Sequence, residues 1–260
     1  MKMNDPISVE NMYISKDTLS TRVNLHEKYS INKYGWKNWV FDQYKMRKDI
    51  KIIEFGCGTG IAWTGKNEQI PEGVSIMLTD ISPLMIKKTK ANLSSSKNFT
   101  FQAMDIQNIQ STDRYYDIVI ANHLLYHVPN IEKALREISR VIKDDGIFYS
   151  TTIGNDHLYE LENIYRVFEG RDKFSYSSNL SFTLNNGEEI LKKYFNKIDL
   201  KIYEDYFEIT NTNDLMDYIV SYNNISKETY DEILEYLDKI ILDEKIIRIK
   251  KNSGMFICRK

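Results

Sequence analysis

Glu54-Phe55-Gly56-Cys57-Gly58-Thr59-Gly60, set directly after Lys51 and the apolar pair Ile52-Ile53, is the stretch on which the fold turns. KIIEFG over 51–56 is short, apolar and closed by glycine, which reads as a buried strand. The glycines permit a tight turn and let a ligand approach the backbone without Cβ interference. A helix is expected over 59–68, and its first N–H groups would face an anion. Two familiar glycine patterns fail here. A dinucleotide fingerprint needs glycine at position 61, where Ile61 stands, and no Gly-Lys-Ser/Thr follows as a phosphate loop requires. What remains is an acid two residues before G-x-G-x-G.

Working outward, strands and helices alternate. SIMLTD (75–80), FTFQAMD (99–105), YDIVIAN (116–122) and GIFYSTT (146–152) read as further strands. Between them, Ser82-Pro83 opens a helix to about Leu93. Pro129 leads another over 131–142, with Leu135, Ile138 and Ile142 on one face. Such alternation implies a parallel sheet with right-handed crossovers and helices on both faces. The tail differs. Residues 156–169 and 187–195 read as helical, and KIDLKIYEDYFEI (197–209) reads as a long strand. Helices follow at about 212–223 and 227–243, then a last strand in IIRIKKNSGMFICRK. Before the first strand, residues 1–20 look polar and loosely structured, and 22–43 reads as aromatic-rich helices.

Two more carboxylates stand at strand ends. Asp80 closes the second strand, where a carboxylate can accept both hydroxyl protons of a ribose. Asp105 closes the third, and Ile81 and Ile106 follow these acids as candidates to sandwich a flat ring.

Glu54 with the glycine loop resembles motif I of class I S-adenosylmethionine-dependent methyltransferases. YYDIVIANHLLYHVPNIEKALREISRVIKDDGIFYSTT resembles the later motifs of the small-molecule, "methyltransferase domain 11" branch. The likeness covers about residues 50–153. It implies a Rossmann-like α/β fold with a mostly parallel seven-stranded sheet, its last strand antiparallel, and a helical cap. It also implies S-adenosylmethionine as cofactor and S-adenosylhomocysteine as product. The cofactor contacts it implies are Glu54, Gly56, Cys57, Gly58, Asp80, Ile81, Asp105, Ile106 and Asn122, with Asp105 facing the adenine. N-terminal segments of relatives fold over the cofactor, which adds Tyr29 and Asn32. Tyr126 departs from the pattern, since related sequences often carry a second histidine there.

Methyl transfer is displacement by an acceptor lone pair, so alignment and exclusion of water matter most. His123 and His127 follow the fourth strand at the edge where open α/β sheets bind ligands, and are the catalytic candidates. His123 is the better placed. Trp36 suits a face toward a sulfonium, although core packing is the favoured reading of Trp36, Trp39 and Phe41. Acceptor choice is expected from residues 154–195 and the tyrosine-rich helices holding Tyr218, Tyr222, Tyr230 and Tyr236, with Tyr206 just before them.

The chain divides on this reading into an N-terminal helical segment (1–45), a cofactor-binding core (46–155) and a C-terminal part (156–260) that completes the sheet and supplies the cap. Composition is close to that of an ordinary soluble protein: 260 residues, 42% hydrophobic, 28% charged. A formal charge of −2 gives no global field to draw nucleic acid or an anionic membrane. Cys57 and Cys258 are the two cysteines, with no CxxC or Cys/His cluster, so neither a metal nor a radical cluster is expected. No apolar run is long enough to span a membrane and no leader is visible, which implies a reduced cytoplasmic setting. The expected activity is methyl transfer to a small molecule. The alternatives are a tRNA, rRNA or protein methyltransferase, or a noncatalytic cofactor-binding regulator or partner subunit. Against DNA amine methylation stands Ala121-Asn122-His123-Leu124 in place of an Asn-Pro-Pro-Tyr motif. The accepting atom and the oligomeric state are left open.

Overall fold

The computed structural model describes residues 16–93, 97–169, 180–221 and 225–260. Its strands are β1 (Lys51–Phe55), β2 (Ser75–Asp80), β3 (Phe99–Ala103), β4 (Tyr116–Asn122), β5 (Ile142–Ile153), β6 (Lys197–Ile209) and β7 (Ile247–Arg259). They form one sheet in the order β3-β2-β1-β4-β5-β7-β6. β1 to β5 are mutually parallel, and β7 runs antiparallel to both neighbours. The α/β fold expected from the sequence is the fold found.

Apolar content explains the order. β4 is buried from Tyr116 to Ala121, as a central strand covered on both faces must be. Eight α-helices accompany the strands among the described residues: α1 (Lys16–Tyr29), α2 (Trp36–Gln43), α3 (Pro83–Leu93), α4 (Ile131–Val141), α5 (Tyr159–Glu169), α6 (Gly187–Leu191), α7 (Thr212–Val220) and α8 (Lys227–Glu244). α4 starts where the Asn130 side chain accepts the Lys133 N–H at 2.9 Å, and it buries Leu135 and Ile138 completely. One hydrophobic cluster lies under α4 and another under α2.

A third cluster makes the cap. Leu25 and Tyr29 of α1, Leu161 of α5, Leu215 of α7 and Ile233 of α8 pack with Phe207 and Ile249 of the β6–β7 hairpin. Register decides what this hairpin buries. Asp205 lies opposite Lys251, and alternation turns Tyr203, Asp205, Phe207 and Ile209 inward with Ile249 and Lys251. β5 ends at Ile153 opposite Ser253, so the hairpin continues past the edge at which β4 ends.

Several expectations need correction. Residues 59–68 form no α-helix, only single 3-10 turns at Ile61–Trp63 and Asn67–Gln69. Gly60 and Gly65 adopt φ of 75° and 74°, and two left-handed residues five positions apart leave room for one turn only. Residues 16–20, expected as loose, open α1; residues 1–15 lie outside the described set, as does Tyr222. β5 starts at Ile142 and passes through the expected Asp145–Gly146 turn with a register shift against β4. Among the described residues no helix is long and apolar enough to cross a membrane.

Candidate active site

The glycine loop at the β1 tip turns through three left-handed residues: Gly56, Gly58 and Gly60 have φ of 65°, 55° and 75°. Their surroundings differ. A Cβ on Gly56 would come within 2.7 Å of Leu124, and one on Gly60 within 2.8 Å of Leu93 and Thr89. A Cβ on Gly58 would meet nothing within 4 Å. Gly56 and Gly60 are therefore glycine for packing, whereas Gly58 borders open space. Cys57 is buried between them, its Sγ 3.7 Å from Thr89 Oγ1. Burial pushes its thiol pKa up, so it fills space and is no nucleophile.

Asp80 ties the loop to the β2 tip. Its Oδ2 accepts the Gly58 N–H at 3.1 Å and its Oδ1 the Ser82 N–H at 2.9 Å. Glu54 lies beneath, 3% exposed; it accepts Trp63 Nε1–H at 2.5 Å and Asn122 Nδ2–H at 2.9 Å. Asn122 also donates to the Tyr44 hydroxyl at 2.7 Å, while its own Oδ1 is buried without a partner. Burial raises the pKa of both acids; the N–H donors partly oppose it. No cation pairs with either acid among the described residues. Two buried carboxylates, an orphaned amide oxygen and free space over Gly58 make a cradle suited to a ligand with positive charge.

The other candidates divide. Asp105 accepts from the Gln107 backbone N–H at 2.8 Å and its side chain at 3.2 Å. Ile81 is 60% exposed beside Asp80, whereas Ile106 is 5% exposed and belongs to the core under α4. Tyr29 and Asn32 make their contacts elsewhere. Tyr29 donates its hydroxyl to Asp214 of α7. Asn32 bonds the Glu204 carbonyl and Asp205 of β6, both at 3.1 Å.

His123 follows β4 with φ 46°, a left-handed value uncommon outside glycine and often kept at functional positions. Its N–H donates to Thr151 on both the carbonyl (3.1 Å) and the hydroxyl (2.9 Å). The imidazole sits 5.1 Å from Trp36, whose ring is 5.2 Å from Tyr203. His127 lies on the turn Leu125–His127, its ring 4.5 Å from Tyr126. The four histidines of the chain gather here, since His26 of α1 and His157 before α5 lie within electrostatic reach of His123. Sequence reasoning missed Tyr44, Trp63, His157, Tyr203, Asp205 and Lys251.

Burial, then His127, pushes His123 down to about 4; burial, then His123 and Lys251, pushes His157 to about 3. The folded values lie below the ordinary value of about 6.5, so on acidification the unfolded chain binds protons first. Stability from these groups is complete above that value and is lost as pH falls toward about 4. The raised Glu54 and Asp80 act in the opposite sense, so the native chain is compared with His123→Asn. Thermal melts across this window are expected to fall more steeply for the native chain, and equal slopes would show a solvated His123.

The sequence model of a family described as a methyltransferase domain matches residues 46–175. The chain is 30% identical over 122 residues to the malonyl-acyl carrier protein O-methyltransferase of Bacillus cereus, covering 46% of this chain and 44% of that one. It is 27% identical over 152 residues to the demethylmenaquinone methyltransferase of Lactobacillus johnsonii, covering 54% and 62%. The chain thus matches less than two thirds of the length of these curated relatives. A crystal structure of a methyltransferase-like protein from Bacillus halodurans superposes with a TM-score of 0.62 at 14% identity, over 86% of this chain and 98% of that one.

Proposed function

Because the chain belongs to the methyltransferase-domain family, we propose that it binds S-adenosylmethionine at the glycine loop and directs methyl transfer to a small-molecule acceptor. The observation that carries this reading is the open space over Gly58, bounded by an Asp80 carboxylate already tied to the loop. In this reading Gly56, Cys57 and Gly58 give the ligand a bare backbone surface. Asp80 accepts from the ribose hydroxyls, Asp105 stands toward the adenine, and Ile81 covers one side. Asn122 offers its unpartnered Oδ1 to the ligand's ammonium, while Glu54 holds the Asn122 amide in place. Tyr29 and Asn32 act from a distance by anchoring the N-terminal segment to α7 and β6.

Bound there, the cofactor supplies an electrophilic methyl group on a positively charged sulfur. The protein contributes alignment and dryness. His123, neutral at physiological pH, is placed to orient the acceptor, with Trp36 and Tyr203 as flat neighbours. His127 supports the turn behind it. Relatives named for a malonyl group on a carrier protein and for demethylmenaquinone support a small acceptor group. Transfer of labelled methyl to a panel of acids, phenols and amines tests the reading. His123→Ala is expected to lower kcat about 10²-fold through misalignment and to leave cofactor affinity unchanged. Unchanged turnover would take His123 off the acceptor side.

A further inference from the structure

A second group of side chains gathers at the same sheet edge, on the side of β4 away from the glycine loop. His26 comes from α1, Trp36 from α2, His123 from the β4 tip, Tyr203 and Asp205 from β6, and Lys251 from β7. Hydrogen-bond inventory shows what this group lacks. Both oxygens of Asp205 are engaged, with Lys251 Nζ on Oδ2 and the N–H groups of Asn32 (3.1 Å) and Tyr206 (2.9 Å) on Oδ1. Lys251 gives one proton to Asp205 and one to Ser30 Oγ at 2.7 Å, which leaves a third. Its Nζ lies 4.8 Å from the Phe207 ring and 6.0 Å from the Tyr203 ring.

Tyr203 is 2% exposed, and its hydroxyl is buried with no partner. A buried O–H left unpaired is costly, and in a native site it calls for a missing partner. The imidazoles of His26 and His123 bond no other group among the described residues, and both residues are half-buried. Burial depresses both pKa values. The uncommitted capacity is therefore a phenolic O–H, an ammonium proton and one N–H on each imidazole. Spare acceptor capacity lies on the imidazoles, the Tyr203 oxygen and Asp205 Oδ2, and a proton taken by an imidazole would add positive charge. Either way the group suits an oxygen that carries negative charge. Trp36 and Trp39, 5.2 and 5.4 Å from the Tyr203 ring, flank the group with flat apolar rings. Among the described residues no three His, Cys, Asp or Glu side chains converge to hold a metal ion.

We propose that this group is the acceptor subsite and that it receives a planar oxygen anion of the carboxylate, enolate or phenolate class, with Tyr203 and Lys251 as its donors. The inference rests on the methyl-transfer reading above and narrows it. An acceptor that arrives ionised asks no proton of His123, which at a pKa of about 4 is a poor base near neutral pH.

The test uses benzoate, with benzyl alcohol as its uncharged counterpart and benzylamine as the cation. Binding is measured to the full chain saturated with S-adenosylhomocysteine, followed by 15N spectra of the four histidines. Benzoate is expected to bind at least roughly tenfold more tightly than either counterpart and to move the His26 and His123 imidazole signals. Tyr203→Phe is expected to weaken benzoate roughly tenfold, about 1.4 kcal/mol, with S-adenosylhomocysteine affinity unchanged. Because the lost hydroxyl has no partner, this variant is expected to melt no lower than the native chain. Equal binding of the three probes, no benzoate binding, or native benzoate affinity in Tyr203→Phe would overturn the proposal. The titration is repeated without S-adenosylhomocysteine. If that ligand itself fails to bind, the methyl-transfer reading falls, and the histidine shifts still decide whether the anion subsite exists.

Discussion

Asp205→Ala is expected to destabilise the fold by about 3–5 kcal/mol, the usual consequence of removing one partner of a buried ion pair. Asp205 and Lys251 have side-chain exposures of 0% and 6%, so water screens neither. The substitution strands the ammonium among Phe207 and Tyr203 and also leaves the Asn32 and Tyr206 N–H groups without their acceptor. Adding Lys251→Met is expected to restore much of the loss, because an apolar replacement of both partners carries no buried charge. The single variant should also recover on the alkaline side. Burial lowers the Lys251 pKa, so the unfolded chain holds this proton more tightly, and stability rises with pH until the unfolded lysine also loses it. Urea unfolding of the two variants checks both statements. A single-variant loss under about 1 kcal/mol would show the pair behaving like a solvated surface bridge.

The second large effect concerns the glycine loop. Gly58→Ala is expected to fold, at a cost of about 1–2 kcal/mol for a left-handed alanine, because its Cβ meets no protein atom. Cofactor affinity is expected to fall by more than roughly tenfold, over 1.4 kcal/mol, since the methyl group occupies the space assigned to the ligand. Gly56→Ala and Gly60→Ala should instead lose stability first, because their Cβ atoms would press on Leu124, Leu93 and Thr89. The contrast separates a binding glycine from packing glycines, and melting curves measured with cofactor titrations resolve it. Native affinity in a folded Gly58→Ala would move the ligand away from the loop.

How much of the fold and the site is legible in the sequence depends on the range of the interactions involved. β2, β4 and β6 lie where alternation or apolar runs place them, because a strand is announced by its own residues. Asp80 and Asn122 are readable for the same reason: each ends a strand, and a parallel sheet sends such ends to one edge. The helix over 59–68 fails because backbone conformation at Gly60 and Gly65 outweighs the local pattern. Family likeness points to Tyr29 and Asn32 as cofactor contacts, but Leu25 and Tyr29 share one face of α1 and pack into the cap.

Tyr203, Asp205 and Lys251 escape a reading of the sequence because they are joined to His123 and Trp36 only by folding. Ser30 and Lys251 bond across 221 positions, and Asp205 and Lys251 across 46. A faint signal is present. Alternation in β6 and β7 that turns Phe207, Ile209, Ile247 and Ile249 inward also turns Asp205 and Lys251 inward. One acid and one base on the core faces of two strands can be paired from that alternation alone. Tyr44 and Trp63 give no such sign, since their value to Glu54 and Asn122 depends on where α2 and the glycine loop meet.

The most direct test of the central claim is calorimetric titration of S-adenosylmethionine and S-adenosylhomocysteine into the native chain and Asp80→Ala. Binding of both ligands to the native chain, weakened at least roughly tenfold in a folded Asp80→Ala, is the expected result. Binding of neither ligand to well-folded native protein, or equal affinity in the variant, would contradict the assignment of the glycine loop as the cofactor site.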